Sequence, residues 1–223
     1  MNIVITGTSR GIGLELCRLA LEKGHRVLAV ARKPEASKEL MAYKQKWAEQ
    51  LRTVAVELAE NSASAHIVEA LNGWDQVDVL INNAGIMRDG DKTEDFLESF
   101  RVNSVVPYQL TTALLPIMKR SKQPKVVQIT SQMGSISDNQ SGGYYPYRAS
   151  KAAVNMINKS LAIDNPWLTS IVMHPGWVQT DMGGSGATTT RQESATGIWS
   201  VIQELRKEDS GKFYNFRGQS LAW

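Results

Sequence analysis

Tyr147 and Lys151 lie four residues apart in Tyr147-Arg148-Ala149-Ser150-Lys151, and Ser131 lies upstream of both. In a helix this spacing stacks the two side chains on one face. A phenol ordinarily keeps its proton until about pH 10. An ammonium one turn away favours the phenolate and lowers that value. The pair is therefore expected to act as a general acid/base near neutral pH. Each residue also has a plainer reading. Helices carry tyrosine–lysine pairs by chance, an isolated Ser131 suits a cap or turn, and an isolated Lys151 suits a solvated helix face.

Asn103 precedes Pro107 by four residues in a helical pattern. Proline has no N–H, so the Asn103 carbonyl loses its helical partner and the helix is expected to kink. A free carbonyl there could hold a water leading to Lys151. The competing reading is an ordinary helix break with Asn103 as a cap.

Thr6-Gly7-Thr8-Ser9-Arg10-Gly11-Ile12-Gly13 follows an apolar run and opens a helical pattern. Such a turn lets a backbone approach a pyrophosphate, and the helix N-terminus offers free N–H groups to it. A purely structural turn is the alternative. At the end of the next apolar run stand Arg32 and Lys33, with no carboxylate between Ala31 and Pro34. NAD enzymes usually place an acidic residue near here for the ribose hydroxyls. An arginine suits a 2′-phosphate, and Arg10 can reach the same region. NADP(H) is thus expected over NAD(H).

The elements that must position these groups follow from the pattern. Short apolar runs at 3–6, 27–31, 53–58, 77–81, 125–130 and 169–174 read as strands, with a possible edge strand at 212–214. Helix-length segments at 11–23, 34–49, 63–71, 93–120, 147–162 and 191–205 alternate with them. This alternation predicts an α/β chain: one Rossmann-type domain over residues 1–223, with a doubly wound parallel sheet of about seven strands covered on both faces. A glycine-rich segment, Met182–Thr188, precedes the last long helix and makes residues 180–192 a candidate substrate loop. The chain has 223 residues, is 42% hydrophobic and carries a net charge of +3. These values point to a globular chain and give no reason to expect nucleic-acid or membrane binding. The single cysteine, Cys17, cannot form an internal disulfide and fits a buried, inert thiol in a reducing compartment. A cytoplasmic location is the expectation, and no histidine lies at metal-ligand spacing from another histidine or cysteine.

The ordered motifs resemble the short-chain dehydrogenase/reductase family over nearly the whole chain. Thr6-Gly7 through Gly11-Ile12-Gly13 is similar to its cofactor loop, and Asn82-Asn83-Ala84-Gly85 to its N-N-A-G motif. Asn103, Ser131, Tyr147 and Lys151 match its catalytic tetrad, and Pro175-Gly176-Trp177-Val178-Gln179-Thr180 its P-G-x-V-x-T segment. Within the family the chain looks most like the small C-factor-type and sniffer-type carbonyl reductases.

The resemblance implies that Tyr147 exchanges a proton with substrate and that Lys151 tunes it and binds the nicotinamide ribose. It also implies that Ser131 holds the substrate oxygen and that Asn103 supports a proton relay. The cofactor would be bound by Gly7, Ser9, Arg10, Gly11, Ile12, Gly13, Arg32, Glu57, Leu58, Asn83, Ala84, Gly85, Tyr147, Lys151, Pro175, Gly176, Val178 and Thr180. Glu57-Leu58 stands where the family commonly has Asp-Val, and the gap from Ser131 to Tyr147 is longer than usual. The extra length is expected in Ser137–Gly143. Met87, Met133, Tyr144, Tyr145, Trp177 and Met182 are expected to line an open, apolar substrate pocket for a carbonyl or alcohol. A homodimer or homotetramer paired through the Tyr147–Ala162 helix is expected from the family. The alternatives are an NADP-binding sensor of the C-factor type with little turnover, and a pteridine or quinonoid reductase.

Overall fold

The computed structural model describes Met1–Trp223. Seven strands form one sheet in the order β3-β2-β1-β4-β5-β6-β7, and every neighbouring pair is parallel. They are β1 (Asn2–Thr6), β2 (Arg26–Ala31), β3 (Leu51–Ala55), β4 (Val79–Asn82), β5 (Lys125–Ile129), β6 (Thr169–His174) and β7 (Phe213–Asn215). The helices are α1 (Gly11–Glu22), α2 (Lys38–Lys46), α3 (Ala63–Ala70), α4 (Thr93–Phe100), α5 (Val106–Met118), α6 (Tyr145–Asp164) and α7 (Arg191–Glu204).

Alternation along β1 sends its side chains to opposite faces. Ile3 and Ile5 pack with Leu14 and Leu16 of α1, Leu40 of α2 and Ile198 of α7. Val4 packs with Ile67 of α3 and Leu110 and Leu114 of α5. The chain order reverses between β1 and β4, and the crevice at a parallel sheet's carboxyl edge opens at such a switch point. No helix is long and apolar enough to cross a membrane.

Several elements differ from the sequence pattern. β3 lies at Leu51–Ala55 rather than 53–58, because its ladder with β2 runs from Val27↔Leu51 to Ala31↔Ala55 and ends with β2. Glu57 and Leu58 therefore lie beyond the strand. β4 starts at Val79, two residues later than expected. The helix expected over 34–49 divides, because Ser37 caps a new start by accepting from the Leu40 N–H at 3.3 Å. The expected kink near Pro107 is a π-helical turn over Arg101–Val105, in which Val106 N–H reaches back to the Arg101 carbonyl. That turn lets the chain pass from α4 to α5 without a break, and Pro107 sits in the first turn of α5.

Candidate functional site

The carboxyl ends of β5 and β6 and the start of α6 enclose a cleft of about 580 Å³. Ser131 follows β5 in extended conformation and accepts a hydrogen bond from Met133 N–H at 3.1 Å. Its own hydroxyl proton turns toward Tyr147, which lines the same cleft. Tyr147 sits in the first turn of α6, with Pro146 pre-set for the helix start. The start lies two residues before the expected position, after Tyr144 in the left-handed region at φ 50°.

Tyr147 and Lys151 are both buried, and the Lys151 Nζ lies 5.7 Å from the Tyr147 ring centroid. Burial raises the Tyr147 pKa above its ordinary value, while a hydrogen bond from Ser131 pulls it down. Burial drives the lysine itself down to about 8, and its Nζ donates to the Ile129 carbonyl at 3.0 Å. The lysine is thus anchored to β5 while its Nζ stays beside the Tyr147 ring.

Close approach between elements makes this geometry. A Cβ on Gly134 would stand 2.8 Å from the Lys151 carbonyl carbon, so only glycine lets the segment after Ser131 lie flat on α6. Asn155 ties the same two elements, accepting from Thr130 Oγ1 at 2.7 Å and donating to the Gly134 carbonyl at 3.3 Å. The sequence motifs gave Gly134 and Asn155 no role in the site, since their contacts exist only once β5 and α6 meet.

Asn103 is buried in the π-helical turn. Its Oδ1 accepts from Ile86 N–H at 2.9 Å, and its Nδ2 donates to the Ile86 carbonyl at 2.9 Å and to Ser150 Oγ at 3.0 Å. The side chain thus clamps the segment after β4 to the helix bearing Tyr147 and Lys151.

The glycine turn is held by the neighbouring Asn83-Ala84. Thr6 Oγ1 accepts from the N–H groups of Asn83 (3.0 Å) and Ala84 (3.1 Å). Asn83 Nδ2 donates to the carbonyls of Thr6 (2.9 Å) and Gly7 (3.2 Å). A Cβ on Gly13 would fall 2.3 Å from the Gly7 oxygen, so glycine is sterically required there. Ser9 and Arg10 complete the turn, and no side chain caps the N-terminus of α1. The first-turn N–H groups of Gly11, Ile12 and Gly13 have no intrahelical acceptor. An uncapped helix start beside a turn this tight fits a pyrophosphate. Gly85 lies against Asn103 and Lys151: a Cβ there would be 3.1 Å from Oδ1 and 3.5 Å from Nζ.

Both arginines expected at a 2′-phosphate are paired with carboxylates on exposed side chains. Arg10 meets Asp181 across the mouth of the site, and Arg32 lies 3.9 Å from Glu57. Glu57 is thus beside Arg32. Leu58 turns inward and packs on the α3/α5 side of the core.

Met87, Met133, Tyr144, Trp177 and Met182 line the cleft, as do Ile12, Pro175, Gly176, Val178 and Thr180. Tyr145 does not: as the first residue of α6 it turns outward and is 67% exposed. The segment after β6 is folded back on itself. Trp177 Nε1 donates to the Gly183 carbonyl at 2.8 Å, and Gly183 N–H donates to Thr180 Oγ1 at 3.2 Å. The polar run Ser137–Gly143 is also pinned: Ser137 N–H bonds the Trp223 carbonyl at 2.9 Å, and Arg148 binds Ser141 Oγ at 2.8 Å. Cys17 is buried, which pushes its thiol up to about 12.

The motifs gave no role to several cleft residues, His174 among them. His174 ends β6 and lines the cleft, with its pKa pushed down to about 4 by burial. Its position directly before Pro175-Gly176, at a strand's carboxyl end, was the available signal.

Comparison with known proteins places this geometry in context. A family model described as short chain dehydrogenase matches residues 1–191. The C-signal protein of Myxococcus xanthus is 41% identical over 155 residues, covering 66% of this chain and 93% of that protein. The solved structure of carbonyl reductase Sniffer of D. melanogaster superposes with a TM-score of 0.93 at 31% identity, covering 100% of this chain and 99% of that one. The NADPH-bound carbonyl reductase from chicken fatty liver superposes with a TM-score of 0.90 at 30% identity, covering 100% and 98%.

Proposed function

The chain belongs to the short-chain dehydrogenase family and is an oxidoreductase of that class, and on that premise we propose that it is an NADP(H)-dependent reductase of apolar aldehydes and ketones. One observation carries the reading. Ser131 and Tyr147 line a cleft rich in methionine and aromatic side chains, with the Lys151 Nζ beside the Tyr147 ring and an uncapped glycine-turn helix next to it.

The residues divide the work by chemistry. The first turn of α1 holds the pyrophosphate of the cofactor, and Arg32 and Arg10 read its 2′-phosphate. Bound NADPH supplies the hydride. Ser131 directs its hydroxyl proton at the substrate oxygen, and Tyr147 delivers the proton to that oxygen. Burial keeps the phenol protonated, which suits a proton donor and the direction of reduction. The Lys151 ammonium, tethered to Ile129, stabilises the phenolate left behind and has further N–H groups for the nicotinamide ribose. The Asn103 carbonyl, whose helical partner would be the N–H-less Pro107, is the proposed anchor for a water returning the proton through Lys151. Thr180 is the proposed contact to the carboxamide. Much of the rate gain comes from placing donor, acceptor and carbonyl together.

A second reading is carried by the likeness to C-signal: an NADP-binding signalling protein with little turnover. NADPH oxidation with a panel of apolar aldehydes and ketones, run with Tyr147→Phe, separates the two. Reduction abolished in the variant supports the enzyme, whereas NADPH binding without turnover on any member supports the sensor. Met156 and Ile163 share one exposed face of α6, which supports pairing of two chains there. Sedimentation of wild type and Met156→Glu tests it, and a monomer in both removes the proposal.

A further inference from the structure

His174 lines the cleft, yet its Nδ1 is buried with no hydrogen-bond partner. A neutral imidazole has one N–H donor and one bare nitrogen. A buried N–H without an acceptor is rarer in proteins than an under-satisfied acceptor. The proton therefore belongs on Nε2. Nε2 is not among the buried unpartnered atoms and makes no bond within the protein, so it opens where the residue does, into the cleft.

The side chain's face of the sheet fixes what it meets. Ser170, Val172 and His174 alternate with Ile171 and Met173. Ile171 and Met173 pack into the core beneath α1 and α7. Ser170 donates to Asn158 of α6 at 2.7 Å. His174 therefore points to the α6 side, where Tyr147 and Ser131 stand, and away from the helix of the glycine turn.

Most other side-chain donors of the cleft already have acceptors within the protein; the Tyr144 hydroxyl, on a residue 44% exposed, has none. Gln132 donates to Asp138, Arg148 to Ser141 and the carbonyls of Gly142 and Gly143, Thr180 to the Val178 carbonyl at 3.3 Å, and Trp177 to Gly183. Besides Ser131 and Tyr147, which serve the reacting oxygen, and the exposed Tyr144, His174 is the donor left for a ligand. We propose that His174 binds the substrate, its Nε2–H donating to a second acceptor oxygen near the reacting carbonyl, so that the site favours keto esters and related dioxygenated carbonyls over plain alkyl ketones. This rests on the carbonyl-reductase reading above.

Two measurements test it. The first compares kcat/KM on ethyl acetoacetate and on 2-octanone, a ketone of similar size. His174→Phe should lose about five- to tenfold more on the keto ester than on the ketone, the worth of one neutral hydrogen bond, and His174→Gln should recover most of that difference. Equal losses on both substrates overturn the proposal. So does a matching fall in NADPH affinity, measured by fluorescence titration, because His174 would then serve the nicotinamide. The second measurement does not depend on turnover. In long-range ¹H–¹⁵N spectra of the imidazoles, the His174 signals, identified by their loss in His174→Phe or His174→Gln, should show a neutral Nε2–H ring from pH 8 to 5.5. The Nε2 signal should move on adding ethyl acetoacetate to the NADP⁺ complex and stay with 2-octanone. An Nδ1–H tautomer, ordinary titration near pH 6.5, or no movement with the ester overturns the proposal. If wild type reduces neither compound, the reductase reading fails, and the spectra alone decide the role of His174.

Discussion

Replacing Asn103 by alanine should unfasten the site from beneath. The side chain makes three hydrogen bonds between 2.9 and 3.0 Å, two to the main chain of Ile86 and one to Ser150 Oγ. Asn103 is 1% exposed, so water cannot replace them without rearrangement. At about 1 kcal/mol net for each bond, Asn103→Ala should lose about 3 kcal/mol of stability. In a chain of this size that lowers Tm by roughly 6–12 °C. Urea unfolding of wild type and variant measures it directly. Gly85, one residue before Ile86, lies at the Lys151 Nζ, so NADPH should also bind more weakly to the variant. Asn103→Asp keeps the acceptor for the Ile86 N–H but offers oxygen to the Ile86 carbonyl, and should be at least as destabilised. A stability loss under 1 kcal/mol in Asn103→Ala, with unchanged NADPH affinity, would refute the clamp.

Other predictions follow from separate contacts. Arg32→Ala should raise the Kd for NADPH at least tenfold and leave that for NADH nearly unchanged, while Glu57→Gln, which frees Arg32 from its exposed pair, should tighten NADPH; equal effects on both cofactors in fluorescence titrations would place 2′-phosphate recognition elsewhere. Lys151 has a folded-state pKa of about 8 against an ordinary 10.5. Between these values the unfolded chain holds the extra proton, so stability should rise with pH through that window, by on the order of 3 kcal/mol at about 1.4 kcal/mol per pH unit. Urea midpoints at pH 7.5 and 9.5 should show part of this rise in wild type and less of it in Lys151→Met. Gly13→Ala sets a Cβ against the Gly7 oxygen at 2.3 Å, and it should abolish NADPH binding and cost about 1–3 kcal/mol, both read by titration and unfolding.

The strand–helix alternation was legible because apolar periodicity is a local property, and the parallel sheet follows from it. The glycine turn, the Asn83–Gly85 segment and the residues around Tyr147 were legible as motifs on that frame. What the pattern misread depends on partners distant in sequence. β3 shifted because β2 ends at Ala31, and Glu57 met Arg32 only once that ladder was set. Pro107 indicated a disturbed helix, but the π-helical turn and the Asn103 clamp depend on α6 packing against it. Tyr145 was grouped with Tyr144, yet one step into a helix turned it to solvent. For Lys151, spacing gave the nearness of the ammonium to the phenol ring, but not its burial or its tether to the Ile129 carbonyl.

The central claim is that Tyr147 protonates a carbonyl oxygen at a site loaded with NADPH. The most direct measurement is single-turnover oxidation of NADPH by a reducible ketone in wild type and Tyr147→Phe, with cofactor affinity titrated in both. The account predicts equal NADPH affinity and at least a thousandfold slower oxidation in the variant, the upper part of the range for a general acid. Oxidation at the wild-type rate in Tyr147→Phe, with NADPH bound as tightly, would contradict it.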